Sequence, residues 1–277
     1  MFALVRLAAE LAEQLVAIEL GGEDTVHQAR TRVRRLRSVL GVYHRAFDQT
    51  AAADLRRRLR GLGQALGDAR DLEVRAAELE NLVSADGTPE VVEAVTAFAL
   101  DAQREYDAAE RALFLRLRGR AHRILLADLQ AFAADPPLRK KAVSHPDRLI
   151  ANALDRALWR VRRLTSADEP AEWTLEQRHE LRKSTRRLRY AAEAVADSSP
   201  SVNRLATEAE AVQDALGDNR DLLLLAEHLR DRSAVSGLGP SATAGVARLA
   251  AQREAEAAGI LAPLASHLKE LDIAPSP

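Results

Sequence analysis

The sequence predicts an all-α fold built as two homologous antiparallel four-helix bundles related by a pseudo-twofold axis. Three observations carry that expectation. Apolar residues recur at three- and four-residue steps nearly throughout, as in Leu4, Leu7, Leu11, Leu15 and Ile18, and no segment shows sustained β alternation between turns. Three short motifs occur twice, in the same order and at nearly constant spacing. The stretch between the copies, Ala133 to Pro146, is polar and carries Pro136, Pro137 and Pro146, as a connector does. The expectation is one domain over 1–277 with internal repeat halves 1–140 and 141–277.

The pattern places helices near 2–20, 25–47, 50–66, 69–84, 88–118, 121–134, 146–165, 175–196, 201–216, 219–232 and 241–271. The first is the Leu4–Ile18 amphipathic stretch. Gly21-Gly22 followed by Asp24 or Thr25 fits the start of the second, with one of the latter as N-cap. Gly67 suits the residue just past a helix end, with Asp68 capping the next helix, and Gly217 and Asp218 repeat the arrangement. Thr174-Leu-Glu-Gln177 fits a capping box at the start of the helix over 175–196. Short connections favour antiparallel neighbours, hence up-down bundles.

The first repeated motif is His27-Gln-Ala-Arg30-Thr-Arg-Val-Arg34-Arg35-Leu36-Arg37, which returns as His179-Glu-Leu-Arg182-Lys183-Ser-Thr-Arg186-Arg187-Leu188-Arg189, six of eleven positions identical. The second is Leu66-Gly67-Asp68-Ala-Arg70-Asp71-Leu72 against Leu216-Gly217-Asp218-Asn-Arg220-Asp221-Leu222. The third is Ala102-Gln-Arg-Glu-Tyr-Asp-Ala-Ala against Ala251-Gln-Arg-Glu-Ala-Glu-Ala-Ala. One such match in an Ala/Arg-rich chain is weak, but three in order at offsets of 152, 150 and 149 point to a duplication.

On a helix, His27, Arg30, Arg34 and Arg37 share one arc of about 80°. Ala29, Val33, Leu36 and Leu40 lie on the opposite side as a core stripe. In the second copy His179, Arg182, Arg186 and Arg189 share the arc, Lys183 widens it, and Leu181, Leu188 and Ala192 face the core. Each His sits in the first turn or just after it, where free backbone N–H groups add positive character. Two readings stay open: acids of neighbouring helices such as Asp71 and Asp221 neutralise the arginines as a structural network, or the stripes form a phosphate-binding groove. Arg70 and Arg220 can add to the basic surface. Arg56, Arg57, Arg58 and Arg60 form a further cluster, present only in the first half, that reads equally as solvated face or ligand contact. His122-Arg123 and Lys140-Lys141 carry less signal.

Bulk charge does not mark a nucleic-acid binder, because the net charge is −1. The cations are nonetheless concentrated. Lysine occurs only at 140, 141, 183 and 269, so the 40 cations are almost all arginine, the side chain that grips phosphate bidentately. There is no Cys, which excludes disulfides and thiolate metal sites. A metal site at the histidines is disfavoured, since Thr31 and Lys183 stand one turn beyond His27 and His179 and the cations around them repel a dication. No Gly-rich phosphate loop or His-Glu-x-x-His motif is present. As an enzyme the chain would have to use His27 or His179 as phosphoacceptor or general acid, in phosphoryl transfer or polyphosphate processing. The stripes lack the aromatics that stack bases, so nucleic acid is expected to bind only weakly and nonspecifically, through its phosphate backbone. No signal-peptide core and no run of about 18 apolar residues occurs, so the expectation is a cytoplasmic protein without a membrane partner.

The pattern His-x-x-Arg-x-x-x-Arg-Arg-Leu-Arg, followed by Leu-Gly-x-x-Arg-Asp-Leu and duplicated, resembles the CHAD domain (conserved histidine α-helical domain) over essentially the whole chain, from about Leu4 to Leu271. The resemblance implies two four-helix bundles, a central basic surface, and binding of inorganic polyphosphate without catalysis or cofactor. It assigns the binding to His27, Arg30, Arg34, Arg35, Arg37, His179, Arg182, Lys183, Arg186, Arg187 and Arg189. CHAD domains are often fused to a triphosphate tunnel domain; the sequence shows none, so it resembles the stand-alone form, and association with polyphosphate granules is expected. Ser184 replaces the basic residue found at Arg32, which implies unequal grip by the two halves.

Overall fold

The computed structural model describes residues 2–22, 24–83, 88–165, 172–196 and 199–273. Among them all regular structure is helical apart from one isolated bridge between Phe47 and Leu138. The helices of the first half are α1 (Phe2–Glu19), α2 (Thr25–Val42), α3 (Gln49–Val83), α4 (Pro89–Leu117) and α5 (Arg120–Ala134). A 3-10 turn, His44–Ala46, follows α2. A short α6 (Lys140–Ser144) lies in the connector. The second half holds α7 (Pro146–Thr165), α8 (Leu175–Glu193), α9 (Pro200–Val235), α10 (Pro240–Ile260) and α11 (Leu264–Ile273).

The largest departure from expectation is at the Leu-Gly-Asp motif. Gly67 and Gly217 do not end helices, and Asp68 and Asp218 do not cap them. Each motif lies inside one continuous helix, of 35 residues in α3 and 36 in α9. The glycines are buried for a packing reason. A Cβ on Gly67 would lie 3.7 Å from Nε of Arg30, and one on Gly217 would lie 3.7 Å from Nε of Arg182. Each first-motif arginine therefore lies flat over the second-motif glycine of its own half. The other departures are local. The helix expected over 241–271 breaks between Ile260 and Leu264, because Pro263 removes a donor and restricts the residue before it. The second helix stops at Val42 instead of reaching Phe47. The end of the helix expected over 69–84 falls on Ser84, outside the described residues.

The two helices that carry the stripes start as their sequences suggest, by different means. Thr174 and Gln177 form the reciprocal capping box: Gln177 N donates to Thr174 Oγ1 at 3.2 Å and Thr174 N to Gln177 Oε1 at 2.7 Å. Asp24 stands at the N-cap of α2 in a left-handed conformation, φ 55°, but its side chain does not cap the helix. It accepts from Gln28 Nε2 instead, at 3.1 Å.

The interior divides into three cores, where two bundles predict two. One, with Leu11, Leu36, Leu40 and Leu59, gathers the first half and the ends of α7, α8 and α9. Another, with Leu158, Leu181, Leu188 and Leu216, belongs to the second half. The third is shared: Leu79, Phe98, Leu229 and Val246 come from the far ends of α3, α4, α9 and α10. Two features bring the basic stripes together. α2 packs on α8 directly. At their junction the buried Tyr43 Oη donates to the carbonyl of Ala191 at 2.8 Å.

Candidate functional site

The α2–α8 contact sets like charges against each other. Burial first, then the charges of Arg34, Arg182 and Arg37, lower the pKa of Arg186 to about 10. Burial, then Arg30, Arg182 and Arg189, lowers Arg34. Burial, then Arg60, Arg56 and Arg187, lowers Arg37. The Nε–H groups of Arg34 and Arg182 are buried without a hydrogen-bond partner. Buried donors are normally satisfied, so these call for an acceptor.

Two clefts flank this crossing, and Arg34 lines both. The first, about 410 Å³, carries Arg34 and Arg37 from α2, with Lys183, Arg186 and Arg187 from α8. Arg56 of α3 reaches in over Gly41, where a Cβ would crowd its Nη2 at 3.0 Å. Arg45, Arg156 and Arg160 also line it, with His44 and Ser184, and among the described residues no carboxylate does. Eight arginines and a lysine thus surround one acid-free space. Lys183 pairs with Glu180 at 2.5 Å, and Glu180 does not line the cleft.

The second cleft, about 420 Å³, is of a different character. His27, Arg30, Arg70, Arg182 and Arg220 share it with Asp71, Glu78, Asp214, Asp218 and Asp221. Arg30 Nη1 donates to Asp71 Oδ1 at 2.9 Å, Arg70 pairs with Glu73 at 3.0 Å, and Arg220 pairs with Asp221 at 3.2 Å. Burial pushes the Glu78 carboxyl up, helped by Asp221, and the Asp218 carboxyl up, helped by Asp214. His27 is held below its ordinary pKa by burial first, then by Arg70. His179 is exposed and lines a further groove with Arg178 and Arg182, facing Glu176, Glu227 and Asp231.

The remaining expected residues serve as struts. Arg189 is clamped by Glu193 at 2.8 Å, by Asp214 at 3.5 Å and by Glu210. Arg35 meets the same Glu193 at 3.2 Å, so one carboxylate ties α2 to α8. Both guanidiniums also lie over the ring of Tyr190. In the α3 cluster Arg57 pairs with Asp54, Arg58 with Asp128 of α5 at 2.6 Å, and exposed Arg60 lies close enough to lower Arg37. Arg32, the counterpart of Ser184, turns toward α1 and meets Glu10 at 2.6 Å. Ser184 itself lines the acid-free cleft, so serine at that position withholds the cation that a basic residue there would bring. Three lining cations escaped the sequence reading: Arg45, Arg156 and Arg160. The last two are four residues apart on α7, a spacing that marks one helix face, but no repeat flagged them.

Fold and site together define a helical domain centred on an acid-free arginine cleft between two repeated basic helices. The CHAD domain family model matches residues 5–230, and the chain belongs to that family. Two uncharacterized Mycobacterium tuberculosis proteins, MT2285 of strain CDC 1551 / Oshkosh and Rv2226 of strain H37Rv, are each 30% identical to it over 236 residues, which is 81% of this chain. The matched region is 44% of their length, so the chain spans less than half of these relatives. Among solved structures, PptA from Streptomyces chartreusis superposes with a TM-score of 0.78 at 16% identity, covering 96% of each chain. The CHAD domain from the plant Ricinus communis superposes with a TM-score of 0.71 at 25% identity, covering 99% of this chain and 90% of that one. No helix among the described residues is long and apolar enough to cross a membrane.

Proposed function

We propose that the chain binds inorganic polyphosphate without transforming it, in the acid-free cleft where α2 crosses α8. The observation that carries this reading is the lining: nine cations and no carboxylate. Arginine forks match phosphate oxygens bidentately and stay charged at every physiological pH. A ligand that is all phosphate would offer acceptors to the arginines of the cleft and relieve the repulsion among Arg34, Arg37 and Arg186. We also read the site as the meeting of two homologous halves about a pseudo-twofold axis. The like placement of Arg30 over Gly67 and Arg182 over Gly217 supports that reading. Binding without turnover fits the donor set. Phosphoryl transfer generally relies on carboxylate-held metal ions, and the cleft offers no carboxylate. His27 and His179 line the neighbouring clefts instead.

The test is titration with long-chain polyphosphate, with single- and double-stranded nucleic acid as competitors at fixed physiological salt. Polyphosphate is expected to win and to keep its chain-length distribution after prolonged incubation. Log affinity should fall linearly with log salt, with a slope near −0.7 per phosphate contacted. Arg34→Glu and Arg186→Glu should each weaken binding by roughly 10- to 100-fold, because hydrogen bonds between charged groups contribute about 1.5–3 kcal/mol. A salt-insensitive affinity, or binding untouched by either substitution, sinks the reading.

A further inference from the structure

We propose that the acid-free cleft continues into a second cation-lined groove over α6 and the start of α7, so that a long polyphosphate chain leaves the α2–α8 crossing past Arg45 and Arg156 and is held again by Arg139, Lys141 and Arg148. The inference rests on the reading of the first cleft and extends it to chain length. The second groove is about 650 Å³, and no carboxylate lines it either. Arg45 and Arg156 line both spaces and join them. Arg148, Arg156 and Arg160 stand at multiples of four residues on α7, so they share a face over about 18 Å of helix.

The groove is held by backbone as well as by charge. Asp48 N donates to Pro137 O at 2.7 Å and Arg139 N to Ala46 O at 2.8 Å, on either side of the Phe47–Leu138 bridge. The Phe47 ring packs at a tilt against Phe132 of α5, with ring centroids 5.4 Å apart. These contacts fix Arg45 beside the start of α6, which puts Arg139 and Lys141 on the same rim. The connector between the halves is thus part of a binding surface.

Charge pairing elsewhere sharpens the contrast. With 41 acids in the chain, exposed arginines find partners: Arg57 pairs with Asp54 and Arg230 with Glu254. Along the groove, Asp147 and Asp155 belong to α7 but line neither space. Burial first, then the charge of Arg45, lower the pKa of Arg156, and Asp155 offsets this only in part, so the junction is a point of repulsion. A phosphate between the two relieves it. The ligand that fits is a flexible polyanion long enough to span both spaces.

The experiment compares inorganic tripolyphosphate with long-chain polyphosphate on the full chain and on the double variant Lys141→Glu/Arg148→Glu. Both positions are exposed, so folding should be unaffected. Long-chain affinity is expected to fall about tenfold or more, with a salt slope shallower by roughly 1.4 for two lost contacts. Tripolyphosphate affinity should stay within about twofold of the parent, while Arg186→Ala should weaken both ligands. Unchanged long-chain affinity in the double variant, or an equal loss for both ligands, overturns the extension and leaves the first cleft standing. Failure of the parent chain to bind either ligand overturns the first cleft, and the extension with it.

Discussion

Arg186 shows at the scale of one residue what the site costs the fold. Burial first, then the neighbouring cations, push its guanidinium down to about 10. That depression corresponds to a penalty on the order of 3 kcal/mol. The penalty is present in full below pH 10 and fades only as pH rises toward the ordinary arginine range, where the unfolded chain also loses its proton. Arg186→Met should therefore raise the melting temperature of the ligand-free protein by several degrees, since an apolar side chain of similar volume removes a buried charge. The same variant should lose much of the thermal shift that polyphosphate gives the parent; a melting temperature that falls or stays put contradicts the assigned repulsion. His27 has the opposite exposure to pH. Its folded pKa is depressed, so the unfolded chain takes up the proton first as pH drops through 6.5, and stability falls. His27→Gln should flatten the melting temperature between about pH 7 and pH 5, as differential scanning fluorimetry would read. The arcs of the helical wheel displayed both stripes in the sequence, but not their division of labour. Arg189 shares the arc of Arg186, yet Glu210 and Asp214 of α9 and Glu193 of its own helix claim it. Glu193 stands four residues on in the same helix and was within reach of the local pattern, but Glu210 and Asp214 come from tertiary packing, which no local pattern reports.

Single glycines decide how closely whole elements approach. Gly217 lies within α9, and a Cβ there meets only ordinary contact with Arg182. Gly217→Ala is expected to stabilise by about 0.5–1 kcal/mol, the helix-propensity difference. Gly245 lies where α10 crosses α4, and a Cβ there would overlap Val91 Cγ2. Gly245→Ala should destabilise by about 1–3 kcal/mol, because the shared core must spread. Thermal melts of the two variants should move in opposite directions, and a common direction would contradict the packing. The Leu-Gly-Asp motif misled the helix boundaries for this reason. Glycine before aspartate reads locally as a stop and a cap, whereas here the helix runs on through the motif and an arginine from another helix packs over it. The Thr174 capping box involves only its own four residues, so it was legible. The α7 arginines had the right spacing but no repeated partner, because α1 carries only Arg6.

For the molecule as a whole, the shared core of α3, α4, α9 and α10 ties the two halves into one unit. Heating should therefore give one cooperative transition. A fragment of residues 1–140 should fail to reach the native fold, since it would expose Leu79 and Phe98 to water. Two resolved transitions, or a well-folded half, would show that the shared core is dispensable. Saturating polyphosphate should raise the single transition by mass action, with about 2.7 kcal/mol gained at a hundredfold excess over Kd. The composition of the acid-free cleft has one more consequence, for covalent control. Acylation removes charge from lysine and leaves arginine cationic. Lys183 is the only lysine in that cleft, and Lys141 the only one in the outer groove. Complete acylation of the protein would leave all eight arginines of the inner wall charged. On the proposed reading, acylation would remove one cation from each space and weaken the grip without abolishing it, since the arginine wall stays charged.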